Sequence, residues 1–261
     1  MAFLRKGTPL IDAVAARLQE HPRGTVLDAG TGRGTLARSL AAAGFRVCAC
    51  DILPERFGPS GGGVQFQKAD LNAPLPYRDK TFDYVCCTEV IEHVENPFAL
   101  LREFWRVLED GGLLFLSTPN ILNVSSRVRF LLEGAYEFFK YPVMEWAETG
   151  TGDLHLYPIR YHELEYYLAH CGLQIEAVFS STLHYQRRLM FFPLELLMRA
   201  QTAVKNFRSS RPNEISTARL YRVLLSHELL YGEHLIVKAR KIQGGARLFD
   251  PARASAGLIR S

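Results

Sequence analysis

The sequence predicts a doubly wound α/β fold built on a seven-stranded sheet. Between residues 24 and 120, five short apolar runs alternate with segments of helical periodicity, as expected for parallel strands joined by crossover helices. The first run, which ends at Asp28, leads into glycines at every second position, and the next two runs also end at acidic residues. Since the carboxyl ends of parallel strands share one edge of a sheet, a ligand site is expected at that edge.

The turn after the first predicted strand contains Asp28, Gly30, Gly32 and Gly34 in the pattern D-x-G-x-G-x-G. Glycine turns a backbone sharply and lets a ligand lie against it without a Cβ atom in the way. A dinucleotide site requires G-x-G-x-x-G, but Thr35 stands where its last glycine would be. The pattern therefore argues against a NAD-dependent oxidoreductase and favours another nucleotide-type cofactor at this strand–turn–helix corner.

Two further predicted strands also end at acidic residues. The strand over 45–51 ends at Asp51, 21 residues after Gly30, roughly the separation expected of a ribose-binding acid. A carboxylate has two acceptor oxygens, so it can bind both ribose hydroxyls. The strand over 64–69 leads to Asp70. The remaining core strands are predicted over 82–87 and 113–117, with a helix over 98–109 between them.

In this order and spacing, the segments resemble the class I S-adenosylmethionine (SAM) dependent methyltransferases over residues 24–120. The resemblance implies a Rossmann-like sheet whose last two strands, over 173–179 and 232–240, form an antiparallel pair. It also implies that Asp70 accepts from the adenine amino group and that the next backbone N–H serves a ring nitrogen. The implied SAM-binding residues are Asp28, Gly30, Gly32, Gly34, Asp51, Ile52, Asp70, Leu71 and Glu89.

Glu89, Glu92 and His93 are spaced i, i+3 and i+4, which places them on one face if the segment is helical. The E-x-x-E-H pattern resembles that of small-RNA 2′-O-methyltransferases and ubiquinone-pathway O-methyltransferases, where acids and histidine near the cofactor bind metal. The resemblance implies, as an alternative, a divalent metal site formed by Glu89, Glu92, His93 and His155. A site without metal is favoured, because in many relatives this motif only lines the cofactor pocket and caps the helix. Val94, which stands where the small-RNA enzymes have a second histidine, weakens the comparison with them.

Two histidines are the candidates for catalysis. His93 is the predicted proton acceptor near the methyl group, because neutral imidazole accepts protons near pH 7; a structural role at a helix start is the alternative. His155 lies in a loop over 150–158 that resembles a loop of small-molecule methyltransferases, where it contacts substrate or holds the loop in place. His162 is expected to be an exposed helix residue, and Asn120 either to contact the acceptor or to form an ordinary turn with Pro119.

Aromatic residues after the fifth strand are interpreted either as core packing or as an apolar wall for the acceptor. They are Tyr136, Phe138, Phe139, Tyr141 and Trp146. The chain is interpreted as one domain over 1–241 followed by a disordered tail over 242–261. The parts of the domain are a leading helix (8–21), the core (24–120) with a Gly- and Pro-rich loop (54–63), an acceptor-lid insertion (121–158), a helix (160–171) and an apolar–basic helical insertion (184–231).

The insertion over 184–231 is strongly apolar at residues 189–198 and then becomes basic. The favoured interpretation is a helical hairpin packed on the domain or on a second copy of the chain in a homodimer. The alternative is a monotopic segment over 189–211 that lies on an anionic membrane, with its apolar face down and its basic residues near the headgroups.

Composition narrows the class of protein. The formal net charge of +4 is too small for a nucleic-acid partner to be expected. Five cysteines without a C-x-x-C pair suit a reducing compartment, and no signal peptide or membrane-spanning run is recognisable. These features predict a cytoplasmic protein, with peripheral contact at the inner membrane face as an extension of that prediction.

The sequence therefore predicts an enzyme that transfers a methyl group from SAM to oxygen on a small-molecule or lipid- or glycan-linked acceptor, leaving S-adenosylhomocysteine. A metal-dependent RNA 2′-O-methyltransferase is one alternative. The other is a non-catalytic scaffold with the methyltransferase fold, whose insertion contacts a membrane or a second copy. The intact cofactor motif counts against the scaffold.

Overall fold

The computed structural model describes residues 5–7, 9–58, 62–139, 155, 157–208 and 218–242. The strands in these parts are β1 (Arg5–Gly7), β2 (Thr25–Ala29), β3 (Arg46–Asp51), β4 (Val64–Lys68), β5 (Phe82–Thr88), β6 (Leu108–Pro119), β7 (Leu173–Phe179), β8 (Thr182–His184) and β9 (His234–Lys241). The helices are α1 (Leu10–Gln19), α2 (Thr35–Ala42), α3 (Pro54–Phe57), α4 (Pro97–Val107), α5 (Val124–Glu133), α6 (Tyr161–His170), α7 (Tyr185–Arg208), α8 (Ala218–Leu224) and α9 (His227–Tyr231).

Seven strands form one mixed sheet in the order β4-β3-β2-β5-β6-β9-β7, which confirms the predicted fold class. The strands from β4 to β6 are parallel, whereas β9 lies antiparallel to both β6 and β7. The predicted antiparallel pair is therefore β7 and β9. The chain winds outward in one direction from β2 to β4 and in the other from β5. The adjacent carboxyl ends of β2 and β5 thus mark the topological switch point, where ligands of such sheets bind.

Helices cover both faces of this sheet. On one face, α1 and α2 pack so that Leu18, Leu40 and Phe115 are fully buried. On the other face, α4 and α6 bury Phe104 and Leu164. The continuous apolar runs of the central strands follow from this arrangement, because a parallel sheet must bury both of its faces.

Several elements differ from the sequence prediction. The loop predicted over 54–63 contains α3, which Pro54 favours because its fixed φ suits the first position of a helix; residues 59–61 lie outside the described part. Strand β6 begins at Leu108, so the preceding helix ends at Val107 rather than at Glu109. The antiparallel pair β1–β8 was not predicted, since three-residue strands carry no periodic signal.

Helical insertions lie where they were predicted, with α5 after β6 and α7 to α9 between β7 and β9. The α5 helix begins at Asn123, whose Oδ1 accepts from the Ser126 amide at 2.9 Å, and Gly134 ends it with φ 73°. Much of the predicted lid and tail, together with a stretch of the second insertion, lies outside the described residues (140–154, 209–217 and 243–261). No described helix is long and apolar enough to cross a membrane.

The turn after β6 is held by the buried side chain of Asn120. Its Nδ2 group donates to the carbonyls of Glu228, Leu229 and Gly232 at 3.2, 3.0 and 2.9 Å. Its Oδ1 accepts from the Leu122 amide at 3.1 Å. One amide therefore joins the end of β6 to α9 and the segment before β9, so the turn rather than the acceptor contact describes Asn120.

An Asn120→Asp variant places a carboxylate against carbonyl oxygens that now accept hydrogen bonds. We expect it to lose about 3 kcal/mol or more of its free energy of unfolding, measured by urea denaturation. Asn72→Asp is the matched control, because the exposed Asn72 side chain accepts from the Glu95 amide at 2.7 Å and donates no hydrogen bond to the described residues. That variant should change by less than about 0.5 kcal/mol. Equal stability of Asn120→Asp and the parent would contradict the role given to Asn120.

Candidate cofactor and active site

A cavity of about 550 Å³ lies at the carboxyl ends of β2, β3, β4 and β5. Four successive turns of the chain form its wall, each following one of these strands. Gly34 is the one predicted cofactor residue that does not line it. The predicted residues that do are Asp28, Gly30, Gly32, Asp51, Ile52, Asp70, Leu71, Glu89 and His93.

The three glycines of the β2–α2 turn have different tasks. All have positive φ, at 74° for Gly30, 52° for Gly32 and 72° for Gly34. A Cβ on Gly30 would lie 2.4 Å from Val90, and a Cβ on Gly34 would lie 2.4 Å from Phe57, so neither position has room for a side chain. A Cβ on Gly32 would meet no atom within 4 Å, and Gly32 lines the cavity. Only Gly32 therefore keeps open space for a ligand.

Asp28 is a buried carboxylate with one unused oxygen. Thr31 Oγ1 donates to its Oδ2 at 2.6 Å, while Oδ1 makes no hydrogen bond of ordinary geometry with the described residues. Burial raises the pKa of Asp28 to about 6, although the hydrogen bond from Thr31 opposes the rise. A buried anion in a cavity wall, with one oxygen unpartnered among the described residues, fits a cationic ligand group, because pairing would offset the cost of burying the charge.

Asp51 links the turns that follow β2 and β3. Its Oδ2 accepts from the Gly32 amide at 2.8 Å, and its Oδ1 accepts from the Leu53 amide at 3.0 Å. A carboxylate offers about four acceptor sites, so each oxygen keeps capacity for a ligand hydroxyl. Beside it, the apolar side chain of Ile52 is 49% exposed and lines the same cavity. A diol next to an apolar surface is what this corner can bind.

Asp70 also organises its own turn. Its Oδ1 accepts from the Asn72 amide at 2.9 Å, and Asn72 Oδ1 in turn accepts from the Glu95 amide at 2.7 Å. The turn after β4 is thereby tied to the turn after β5. Both Asp70 and Leu71 lie in the cavity wall, as predicted.

Glu89 has an unusual backbone and a partner that the sequence did not indicate. Its φ of 54° is rare for a residue with a side chain, which means local strain at the cavity wall. Ser117 Oγ donates to Glu89 Oε1 at 2.9 Å, and His234 Nε2 lies 3.7 Å from Oε2. Burial and the charge of Glu92 raise the pKa of Glu89, and burial lowers the pKa of His234.

The Ser117 and His234 contacts follow from strand order, because β9 inserts beside β6 and brings His234 next to Glu89. His234 Nδ1 also lies 2.7 Å from Ser181 Oγ, which fixes its ring. No local motif in the sequence signals this arrangement, since His234 follows Glu89 by more than half the chain.

Glu92, His93 and His155 converge, with one ligand atom of each within 4.8 Å of the others. The rings of His93 and His155 meet edge to face, with centroids 4.7 Å apart. Glu92 is fully buried, and burial raises its pKa to about 7 while nearby Thr118 lowers it. His155 contacts His93 from outside the cavity, since His93 lines the wall and His155 does not.

The predicted four-residue metal site needs a correction, because Glu89 is not part of this group. The prediction assumed a helix through Glu89, Glu92 and His93. The structure instead has a single 3₁₀ turn at Ile91–His93, preceded by the left-handed backbone of Glu89. Glu89 therefore points to Ser117 and His234, and three of the four predicted ligands remain together.

The other predicted acceptor residues are only partly described. Tyr136 stacks on Phe130 at 4.5 Å, and Phe139 lies 5.2 Å from the ring of His155. Phe138 is partly exposed. His162 is partly buried rather than exposed as expected. Tyr141 and Trp146 lie outside the described residues.

A family model described as a methyltransferase domain matches residues 4–178, more than half of the chain. The chain belongs to this methyltransferase family. The match ends before α7, so the second insertion is not part of it.

Sequence relatives of this methyltransferase are named ubiquinone biosynthesis O-methyltransferase. The protein from Nitrosomonas europaea is 30% identical over 147 residues, which is 50% of this chain and 61% of that protein. The protein from Xanthomonas axonopodis pv. citri is 30% identical over 185 residues, covering 64% and 70%. The chain thus spans less than two thirds of the Nitrosomonas protein.

Solved structures show the same fold at low sequence identity. A putative methyltransferase from Haloferax volcanii, in complex with the Trm112 activator, is 17% identical with a TM-score of 0.54, covering 88% of this chain and 87% of that one. An S-adenosylmethionine-dependent methyltransferase from Mesorhizobium loti is 17% identical with a TM-score of 0.52, covering 88% and 96%. The [4+2]-cyclase SpnF is 19% identical with a TM-score of 0.50, covering 89% and 80%. Because a protein named as a cyclase shares it, the fold alone does not settle the reaction.

The family and fold imply SAM as the methyl donor, and the residues of the cavity fit it. Asp51 keeps acceptor capacity for the ribose hydroxyls. The unpartnered oxygen of Asp28 suits the cationic amino acid part, and the open face of Gly32 leaves space beside the backbone. We infer that these three residues hold the cofactor.

A Gly32→Ala variant tests the open position of the turn. Its methyl group would occupy cavity space, so we expect SAM affinity to fall at least about tenfold by isothermal titration calorimetry. The backbone at φ 52° should cost only about 1 kcal/mol of stability. Gly134→Ala is the matched control, with φ 73° and no atom within 4 Å of its Cβ, but at the end of α5. An equal loss of SAM affinity in both variants would contradict the conclusion that Gly32 leaves space for the cofactor.

Asp28→Asn should stabilise the ligand-free protein at pH 8 while weakening SAM binding. Folding raises the pKa of Asp28 from 3.8 to about 6, so the folded state holds this proton more tightly than the unfolded chain. Ionised Asp28 thus costs about 1 to 3 kcal/mol above pH 6, and nothing below pH 3.8, where both states are protonated. The stability gain of Asp28→Asn, measured by denaturation, should therefore appear between those pH values and stay constant above them.

The exposed Asp12→Asn provides the control for that pH series and should match the parent throughout. Asp28→Asn that is less stable than the parent at pH 8 would show that the ionised carboxylate stabilises the fold.

Proposed function

We propose that this protein is a SAM-dependent O-methyltransferase whose acceptor is a hydroxyl group on a small molecule or a lipid- or glycan-linked compound. The observation that carries the proposal is the position of His93 in the wall of the cofactor cavity. Amines and thiolates need little help as methyl acceptors, whereas a hydroxyl benefits from a nearby base that takes its proton. An imidazole beside the cofactor supplies that base.

When bound, SAM supplies an already activated methyl group. The protein's part is to place the acceptor oxygen behind that methyl group, to exclude water and to receive a proton. His93 would receive the hydroxyl proton as the acceptor oxygen takes the methyl group, and S-adenosylhomocysteine would be the leaving group. His155 packs against the His93 ring, and Glu92 lies beside both, so the ring is held in one orientation and its positive charge has a carboxyl group nearby.

The names of the sequence relatives support oxygen as the methylated atom, since they are ubiquinone biosynthesis O-methyltransferases. By analogy we propose a ring hydroxyl of an aromatic, quinone-like compound as the acceptor. Phe139, whose ring lies 5.2 Å from that of His155, suits an apolar ring of that kind.

Methyl-labelled SAM with two matched acceptors tests the proposal: a catechol with a long alkyl chain and the aniline with the same chain. We expect label in the organic phase with the catechol, as an ether. Transfer to the aniline alone would contradict oxygen as the acceptor atom. Tight SAM binding without transfer to either compound, or to any component of a cell extract, would favour the non-catalytic scaffold.

A metal-assisted reaction is the second candidate, and the group Glu92, His93 and His155 is the observation that favours it. In that case the three side chains would hold a divalent ion that lowers the pKa of the acceptor hydroxyl. The same assay with EDTA separates the candidates. We expect an unchanged rate; a rate that falls at least about tenfold and returns with Mg²⁺ or Mn²⁺ would assign the group to metal. Label in RNA that depends on the metal would support the RNA alternative.

His93→Gln separates catalysis from binding. Glutamine keeps the polarity of the side chain but cannot accept the proton, so kcat should fall roughly 100-fold or more. The Kd for SAM, measured by calorimetry, should stay within about threefold of the parent. His162→Gln is the control, because His162 lies on α6 and does not line the cavity. Unchanged kcat in His93→Gln would remove this histidine from the mechanism.

A further inference from the structure

Helix α7 turns an apolar side to the solvent. Leu189 is 89% exposed, Met190 65% and Leu197 64%, although large apolar side chains on a helix normally face the core. Exposed side chains of the same kind on α7 are Phe192, Leu196 and Val204. On an α-helix, which turns by about 100° per residue, these six side chains fall within one arc of roughly 160°.

The opposite side of α7 holds the helix on the domain. Phe191 and Met198 pack against a cluster formed by Val124, Leu230 and Tyr231. Glu195 is buried and accepts a hydrogen bond from the Tyr231 hydroxyl. One face of the helix therefore packs on the domain, and its outward apolar face is exposed to solvent.

Basic residues border the apolar arc on both edges. By the same helical geometry, Arg188 and Arg199 lie along one edge, where both pair with Glu195 at 3.6 and 2.8 Å, and Lys205 lies along the other. Helix α7 contains one acidic residue, Glu195, which is buried and faces the domain. The outward surface of α7 is thus apolar at its centre and basic at its edges.

We propose that this outward face of α7 lies on the surface of an anionic lipid membrane. An interfacial helix buries an apolar face at the boundary of the acyl chains and places Lys and Arg among the headgroups. A second copy of the chain fits less well, because pairing two such faces would bring like-charged edges together, on which the single carboxylate of Glu195 offsets three basic side chains only in part. The helix α5, which packs beside α7, adds an exposed Leu131 and Leu132.

This position does not depend on the methyl acceptor, so its test is a binding test without catalysis. The full-length protein is sedimented with vesicles of phosphatidylcholine alone, or with about one third phosphatidylglycerol. We expect binding to the anionic vesicles, weakened by added salt because the basic edges contribute through charge. No binding to anionic vesicles, or equal binding to both kinds, would overturn the proposal.

The variant Leu189→Glu/Leu197→Glu tests which surface binds. Each change replaces a leucine that would insert into the lipid by a negatively charged side chain, so we expect binding to fall at least about tenfold per residue. Tyr166→Glu is the matched control, because Tyr166 is 61% exposed on α6 and the change is of the same kind. Circular dichroism should show the same melting temperature for all three proteins.

Two results would count against the proposal here. Vesicle binding that survives in the double variant would place the contact elsewhere. A dimer of the parent in light scattering that is lost in the double variant, with no vesicle binding, would assign the face to a second copy of the chain.

The variant Lys205→Gln should weaken binding to the anionic vesicles about fivefold and leave binding to phosphatidylcholine vesicles unchanged.

Discussion

The close contact between Gly30 and Val90 is the constraint on which the site depends. Because Gly30 has no side chain, the turn after β2 can lie directly against Val90 in the turn after β5. The Gly30 and Thr31 amides then both donate to the Cys50 carbonyl, at 2.9 and 3.0 Å, which joins the end of β2 to the end of β3. This junction brings three strand ends together around one cavity, and it is why Asp28, Asp51 and Glu89 share a wall although they are far apart in sequence.

The site costs stability in ways that a ligand can offset. Asp28 is buried with an oxygen that has no partner among the described residues, and burial raises the pKa of Asp28, of Glu89 and of Glu92. Glu89 in addition has a backbone conformation that is unfavourable for a residue with a side chain. Perturbed carboxylates and local strain gather where a protein binds or reacts. Elsewhere in the described residues, carboxylates such as Glu103 and Asp79 are paired with arginine, as on an ordinary surface.

Sequence reasoning found the features that depend on local geometry. The glycine turn, Asp51 and Asp70 were predictable because each follows a strand that its own apolar run defines. Glu89 was expected on a helix because i, i+3, i+4 spacing cannot reveal a left-handed residue before a 3₁₀ turn. His234 and the buried role of Asn120 were missed, since both arise from β9 and α9 returning beside β6. Which apolar residues of α7 face outward could not be predicted, because it depends on which side of the helix packs on the domain.

The central claim is that this cavity binds SAM through the acids at its strand ends. Calorimetric titration of SAM into the parent and into Asp51→Ala tests it most directly, with Asp12→Ala as a control on exposed α1. Because Asp51 would accept charge-assisted hydrogen bonds from two ribose hydroxyls, we expect the Kd of Asp51→Ala to rise at least about 100-fold while Asp12→Ala matches the parent. Binding of SAM to Asp51→Ala as tightly as to the parent would contradict the account.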